Sequence, residues 1–377
     1  MTVRASRSFP VVFRHVLAAL VLVAGPTVLT AGQSAPAAQA TLPTELTNAE
    51  FWRVASDISE PGGFFRIVDN YTSNEREVAP IFTALREGQP PGGVYIGVGP
   101  EQNFTYIAAL RPKVAFVIDI RRQAVMQHLM FKAIFELADD RADFISLLFS
   151  KPRPAGLERG TSIEATWDAF YPVATSADLR VRTYPRIVDR LKRARGITLT
   201  DDEWSQLESV FEAFYTFGPS IATRGTVGGG GGSSVTFAAL TGYTHDMTGR
   251  PRSFLASDED FRYVKTLHER NLIIPVSGDF GGPKALRAIG TWIRNNGGVV
   301  NGFYVSNVEQ YLYQDRKDRA FFDNVATLPV DERSIFIRPY ALRRGTMEQA
   351  LCPIRPFIAS VMADRVFNNN DALACVR

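Results

Sequence analysis

The chain has 377 residues, 45% of them hydrophobic and 21% charged, enough apolar content to bury a core in one large domain or two modest ones. Its formal net charge is +3. Three arginines and no acid lie in the first forty residues, so the remainder is formally neutral, which excludes general nucleic-acid binding driven by charge. Cys-x-x-Cys spacing and histidine clusters are absent, which excludes the usual thiolate and imidazole metal sites.

In chain order, Arg4, Arg7 and Arg14 precede the apolar run Val16 to Ala24, which Gly25-Pro26 breaks, and Ala38-Gln39-Ala40 offers a small-residue cleavage site. The pattern predicts a signal peptide over residues 1–40, hence an exported or periplasmic protein, or a cytoplasmic one if the start site is misassigned. It also predicts no transmembrane span in the mature chain, since the apolar run is shorter than the ~20 residues a span needs. Residues 41–377 are expected to form a single domain. Thr47 and Glu50 form a capping-box signature for a helix with Phe51, Val54 and Ile58 inward. Asn74 is expected to cap a second helix, with Glu75 and Glu77 in its first turn and Val78, Ile81, Phe82 and Leu85 along its buried stripe.

Gly92 to Arg122 reads as strand, glycine turn, helix, strand. Val94 to Ile96 is a short apolar strand, Gly97-Val98-Gly99 the sharp turn, Phe104 to Leu110 a helix with an apolar stripe, and Val114 to Ile120 the second strand. Glycines let a ligand approach the backbone, and the following helix offers unpaired N–H groups. Asp119, about 20 residues past the turn, stands where nucleotide folds place a carboxylate on ribose hydroxyls. Pro100, Glu101 and Gln102 follow Gly99, so the third glycine of the dinucleotide fingerprint is missing.

A long helix carrying Val125, Met126, Leu129, Met130, Ala133 and Leu137 follows, then a shorter one from Asp140 to Leu148. From about residue 151 to 240 a helical insertion is expected, with one helix from Pro185 to Arg195 and another capped by Thr200 and Glu203; the run Gly228 to Gly232 ends it as a mobile loop or linker. The strand and helix rhythm then resumes. Ser257 caps a helix before the strand Leu272 to Val276, Pro283 opens another before Val299 to Val305, and Ser334 to Arg338 makes a further strand. A proline-interrupted tail over 341–377 carries Cys352 and Cys375, which could pair in an oxidising compartment. The alternation predicts an α/β fold, a Rossmann-like doubly wound and mostly parallel sheet.

In such a sheet ligands sit beyond the carboxyl ends of the strands, which here carry Gly97-Val98-Gly99, Asp119, Ser277-Gly278-Asp279 and Ser306-Asn307-Val308-Glu309. The segments GVGPEQNFTYI, FVIDIRR and FYVSNVEQY resemble a bacterial branch of the class I S-adenosylmethionine-dependent methyltransferases, over residues 44 to 340. The resemblance implies S-adenosylmethionine as cofactor and an unidentified methyl acceptor. It implies that Gly97 and Gly99 flank the methionine end, that Glu101 also contributes to the cofactor site, that Asp119 holds the ribose and Asp279 the adenine amine, and that Asn307 and Glu309 line the acceptor site. Tyr95 and Pro100 depart from the family pattern, which often has an acidic residue and a glycine there. Glu309 and Asp279 are the nearest candidates for a base, ahead of Tyr304 and His245. Two other functions fit the same residues: an exported, non-catalytic binding protein on this fold, and an NAD(P)-type site in which Asp119, Arg121 and Arg122 meet ribose or its phosphate.

Overall fold

The computed structural model describes residues 41–75, 78–224, 235–341, 347–368 and Asp371. The expected signal peptide, the first-turn Glu77, the run Gly228 to Gly232 and Cys375 lie outside the described residues. Helices α1 (Asn48–Ile58) and α2 (Ala79–Gly88) lead into β1 (Val94–Gly97), α3 (Gln102–Leu110) and β2 (Val114–Asp119). Next come α4 (Arg122–Leu137), α5 (Arg141–Phe149), α6 (Ile163–Phe170), α7 (Ala177–Asp189), α8 (Asp201–Phe217), α9 (Phe237–Gly242) and α10 (Asp258–Glu269). The last part runs β3 (Ile273–Ser277), α11 (Ala285–Asn295), β4 (Val300–Tyr304), α12 (Val308–Gln314), α13 (Asp318–Val325), β5 (Val330–Ala341), β6 (Met347–Pro353) and α14 (Ile354–Met362).

The six strands form one sheet in the order β3-β2-β1-β4-β5-β6. The first five are parallel, and β6 returns antiparallel to β5. Every residue of β1, β2 and β3 is buried, as both faces of a covered parallel sheet require. On one face Phe104 of α3 packs against Phe131 and Phe135 of α4 and against Phe254, with centroids 5.2–5.4 Å apart. On the other, Phe303 of β4 meets Phe280 and Phe321 of α13, and Phe336 of β5 meets Phe357 of α14. The fold is therefore α/β, a mostly parallel six-stranded sheet between helical layers.

Local signals fix most element starts. In α1 the Glu50 amide donates to Thr47 Oγ1 and the Thr47 amide to Glu50 Oε2, and α8 repeats the box with Thr200 and Glu203. Asn74 does not cap α2. That helix begins at Ala79 with Pro80 in its first turn, where a missing N–H costs nothing and the ring disfavours helix before it. Pro185 does not open a helix either; it lies inside α7, which starts two turns earlier where Ser176 Oγ accepts from the Leu179 amide, and which runs on into a π-helical turn, Arg190–Ala194. The tail is more ordered than expected, since β6 pairs with β5 from Ile335 opposite Pro353 to Ala341 opposite Met347. Cys352, opposite Phe336 near the end of β6, is disulfide-bonded. Among the described residues no helix is long and apolar enough to cross a membrane.

Between α1 and α2, the described residues 59–75 carry no helix or strand and lie as a strap across the carboxyl edge of the sheet. The Glu60 amide donates to Ser277 O at 2.8 Å, the Gly63 amide to Ile120 O at 2.7 Å, and the Tyr71 amide to Thr223 O at 3.0 Å. A Cβ on Gly63 would stand 2.7 Å from Ile120 Cγ1, so glycine is needed for the strap to lie this close to the end of β2.

Candidate functional site

Because β1 pairs with β2 on one side and β4 on the other, the sheet splits its connections between them, and a crevice opens past their carboxyl ends. The strap roofs it. The cleft takes in about 1030 Å³ of space, open solvent included, and is lined by Gly99, Asp119, Gly278, Asp279, Ser306 and Asn307 from the strand ends, by Phe64 and Phe65 from the strap, and by Tyr311 from α12. Of the residues expected at the site, Gly99, Asp119, Asp279, Asn307 and Tyr304 line it, while Gly97, Glu101 and Glu309 do not.

The glycine turn is built by Asn103. Its Nδ2 lies 3.0, 3.0 and 2.7 Å from the carbonyls of Val98, Gly99 and Pro100, and its Oδ1 accepts from Tyr95 OH at 2.9 Å. A Cβ on Gly97 would fall 1.9 Å from Asn103 Oδ1, so Gly97 makes room for this amide rather than for a ligand. Gly99 keeps φ at +77°, in the glycine-favoured region, and faces the cleft. His128 Nε2 donates to the Gly99 carbonyl at 2.8 Å, which assigns the proton to that nitrogen. Burial pushes its pKa down to about 4, so the ring is neutral at pH 7.

Glu101 turns inward. Its carboxylate accepts from the Thr72 hydroxyl and, at 3.2 and 3.3 Å, from the Ser73 amide, and burial raises its pKa to about 7. It stands at the N-cap position of α3, but its side chain does not cap the helix; it anchors the end of the strap instead. Pro100, next to it, has no N–H to offer.

Asp119, at the end of β2, is clamped by Arg121. Nη2 meets Oδ2 at 2.7 Å, while Nε and the Arg121 amide meet Oδ1 at 3.0 and 2.9 Å. The Oδ2 atom keeps a lone pair for a hydroxyl donor. Arg122 points elsewhere, to Glu203 at 2.7 Å. Asp279 accepts from the Gly281 amide at 2.9 Å and pairs with Lys317 at 2.7 Å. Glu60, which nothing in the sequence flagged, receives the amides of Asp279, Lys284 and Ala285 and closes the start of α11.

Asn307 lines the cleft with no hydrogen bond from its side chain, and the strap's Asn70 and Asn74 do the same. Glu309 does not join them. It is 4% exposed and held by Arg338, Nε to Oε2 and Nη2 to Oε1, and burial raises its pKa. A carboxylate engaged in this way inside the fold does not act as a base in the cleft. His245 is also remote, half exposed between Glu164 and the Tyr243 carbonyl.

Behind the floor lies a carboxyl that sequence reading assigned to a helix start. Glu75 is 2% exposed and accepts from Tyr304 OH at 2.7 Å, Ser306 Oγ at 2.5 Å and Gln349 Nε2 at 2.6 Å. Burial raises its pKa to about 7. Its partners come from β4, the turn after β4, and β6, so no local spacing could have announced them. Among the described residues no group of three His, Cys, Asp or Glu side chains could hold a metal ion.

Residues 71–169 and 235–352 match the model of a family described as a domain of unknown function, DUF7790, and residues 170–234, much of the helical stretch from α7 to α8, fall between the two matched parts. No curated protein matches the chain. With more than half of its length covered by that model, the chain belongs to the DUF7790 family.

Proposed function

We propose that the cleft is an adenosyl-ligand site on a Rossmann-like sheet and that the protein is an S-adenosylmethionine-dependent methyltransferase of unidentified acceptor. The observation that carries this reading is the placement of a ribose-type carboxylate, Asp119, and of the glycine turn at Gly99 on one cleft beyond the carboxyl ends of the strands. A nucleoside suits such a cleft, and Pro100, with no N–H to offer at the turn into α3, counts against a pyrophosphate. The strand order of the parallel part, with its reversal between β1 and β4, supports the same reading.

The residues fit the cofactor's groups. Asp119 would take the ribose hydroxyls on its remaining lone pair, Asp279 would face the adenine amine, and Gly99 with Asn70, Asn74 and Asn307 would meet the polar methionine end. The cleft's ionic side chains, Asp119, Asp279 and Asp315 against Arg121 and Lys317, sum to one negative charge, which favours a cationic occupant over a phosphorylated one. The cofactor supplies an activated methyl group; the protein's part is to align the acceptor and exclude water. Calorimetric titration with S-adenosylmethionine and S-adenosylhomocysteine tests this: micromolar binding is expected for both, and absence of heat in folded protein removes the reading.

Glu309's withdrawal from the acceptor wall favours a second reading, a protein that binds the same ligand without transferring from it. Methyl-labelled S-adenosylmethionine separates the two, since a non-catalytic protein retains the label through incubation with cell extract while an enzyme passes it on.

A further inference from the structure

Glu75 is a buried carboxyl set one hydroxyl behind the cleft wall. Ser306 and Tyr304, which donate to it at 2.5 and 2.7 Å, both line the cleft, and so does its neighbour Asn74. Ser306 is held at φ +48°, a conformation that costs energy for any residue but glycine and that persists where the surroundings enforce it. Three neutral donors satisfy the carboxyl, and among the described residues no cation pairs with it. Among the described residues the ionisable groups facing it are acidic: Tyr95 on β1, Tyr106 on α3 and Tyr304 on β4, each with its pKa driven well above 10 by burial and by Glu75 itself. Glu101, the other buried acid nearby, holds Thr72 and Ser73 at the end of the same segment. A carboxylate with hydrogen-bond donors but no counter-ion is poised between its two protonation states, and a positive charge arriving in the cleft tips the balance.

We propose that Glu75 is the counter-charge for a cationic occupant of this cleft, giving up its proton when a sulfonium is bound and keeping it beside a neutral thioether. The inference rests on the adenosyl reading and deepens it, because it assigns a residue that distinguishes the charged methyl donor from its neutral product. The two ligands share their α-amino and carboxylate groups and differ in charge only at sulfur, so the part of any difference in proton uptake that Glu75→Gln removes reports the protein group and not the ligand's own amine. With the pKa of Glu75 near 7 in the empty site, donor binding at pH 7 is expected to release about half a proton more than product binding. The donor then binds about tenfold more tightly at pH 8 than at pH 6, relative to the product.

Calorimetric titration of the protein with S-adenosylmethionine and with S-adenosylhomocysteine, in two buffers of different ionisation enthalpy at pH 6, 7 and 8, measures both quantities. Glu75→Gln is expected to bind the product as the native protein does and to abolish both differences. Ser306→Ala, which removes a donor to the ionised form, is expected to move the midpoint of the pH dependence upward, and it serves if Glu75→Gln does not fold. Equal proton counts for the two ligands in the native protein, or a midpoint that Ser306→Ala leaves in place, overturn the assignment of Glu75 alone. Failure of both ligands to bind overturns the adenosyl reading and this inference with it.

Discussion

Arg338 holds Glu309 in a two-pronged ion pair, Nε to Oε2 and Nη2 to Oε1, both at 2.8 Å, with both side chains buried away from the cleft. The pair ties the first turn of α12 to β5 and so fixes Asn307, two residues earlier, at the cleft wall. Removing one partner of a buried pair deprives the other charge of that compensation, at about 3–5 kcal/mol. Glu309→Ala is therefore expected to lower stability by about that amount in urea unfolding. Native stability combined with lost ligand binding would return Glu309 to the site.

The engagement of Arg121 with Asp119 and of Arg122 with Glu203 separates nucleotide classes. Arg121 is committed to Asp119, and Arg122, which pairs with Glu203, does not line the cleft. NADPH is expected to give no fluorescence change at micromolar protein. Asp119→Asn keeps the shape and removes the charge, and should weaken S-adenosylhomocysteine at least about tenfold, or about 1.4 kcal/mol. Unchanged affinity in the folded variant would leave Asp119 as an anchor for Arg121 and nothing more.

Much of this was legible in the sequence because the signals were local. Thr47 with Glu50, and Thr200 with Glu203, announced their helices by spacing alone, and the short apolar runs Val94 to Ile96 and Val114 to Ile118 around a glycine turn announced the parallel unit. Asp119 and Asp279 were found by their position at strand ends. What could not be read depends on partners far along the chain. Glu309 looks available until Arg338, 29 residues later, is brought beside it, and Glu75 looks like a helix-start acid until Tyr304, Ser306 and Gln349 surround it. The strap was missed because its only local mark, Pro61-Gly62-Gly63, reads as an ordinary turn.

Gly97 separates a packing role from a binding one. The Asn103 side chain fills the space where a Cβ would go, with Oδ1 at 1.9 Å, and it is fixed by Tyr95 and three carbonyls. Gly97→Ala is expected to destabilise the fold by about 1–3 kcal/mol or more, as overpacking does in a filled core, whether or not ligand is present. Asn103→Ala, which vacates the space, should lower stability as well, and combining it with Gly97→Ala should cost less than the sum of the two. Additive losses would mean that Gly97 and Asn103 do not oppose each other.

The buried acids also set how stability varies with pH. A carboxyl raised from 4.5 to about 7 holds its proton in the folded state while the unfolded chain has released it, so folding takes up a proton across that window. Stability from Glu75 is complete below pH 4.5 and is lost as pH rises through about 7, by about 3 kcal/mol in all. Glu101, raised to about 7 as well, adds a slope of the same sign, and His128, depressed from 6.5 to about 4, contributes the opposite slope between those values, so the native curve alone mixes several groups. The comparison with Glu75→Gln isolates the carboxyl. Urea unfolding at pH 5 and pH 8 should show the variant gaining on the native protein by about 3 kcal/mol between the two conditions, whatever constant offset the amide introduces. An offset that is the same at both values would mean that Glu75 does not change its proton in this range, and its three hydroxyl and amide donors would then be holding a permanently ionised group.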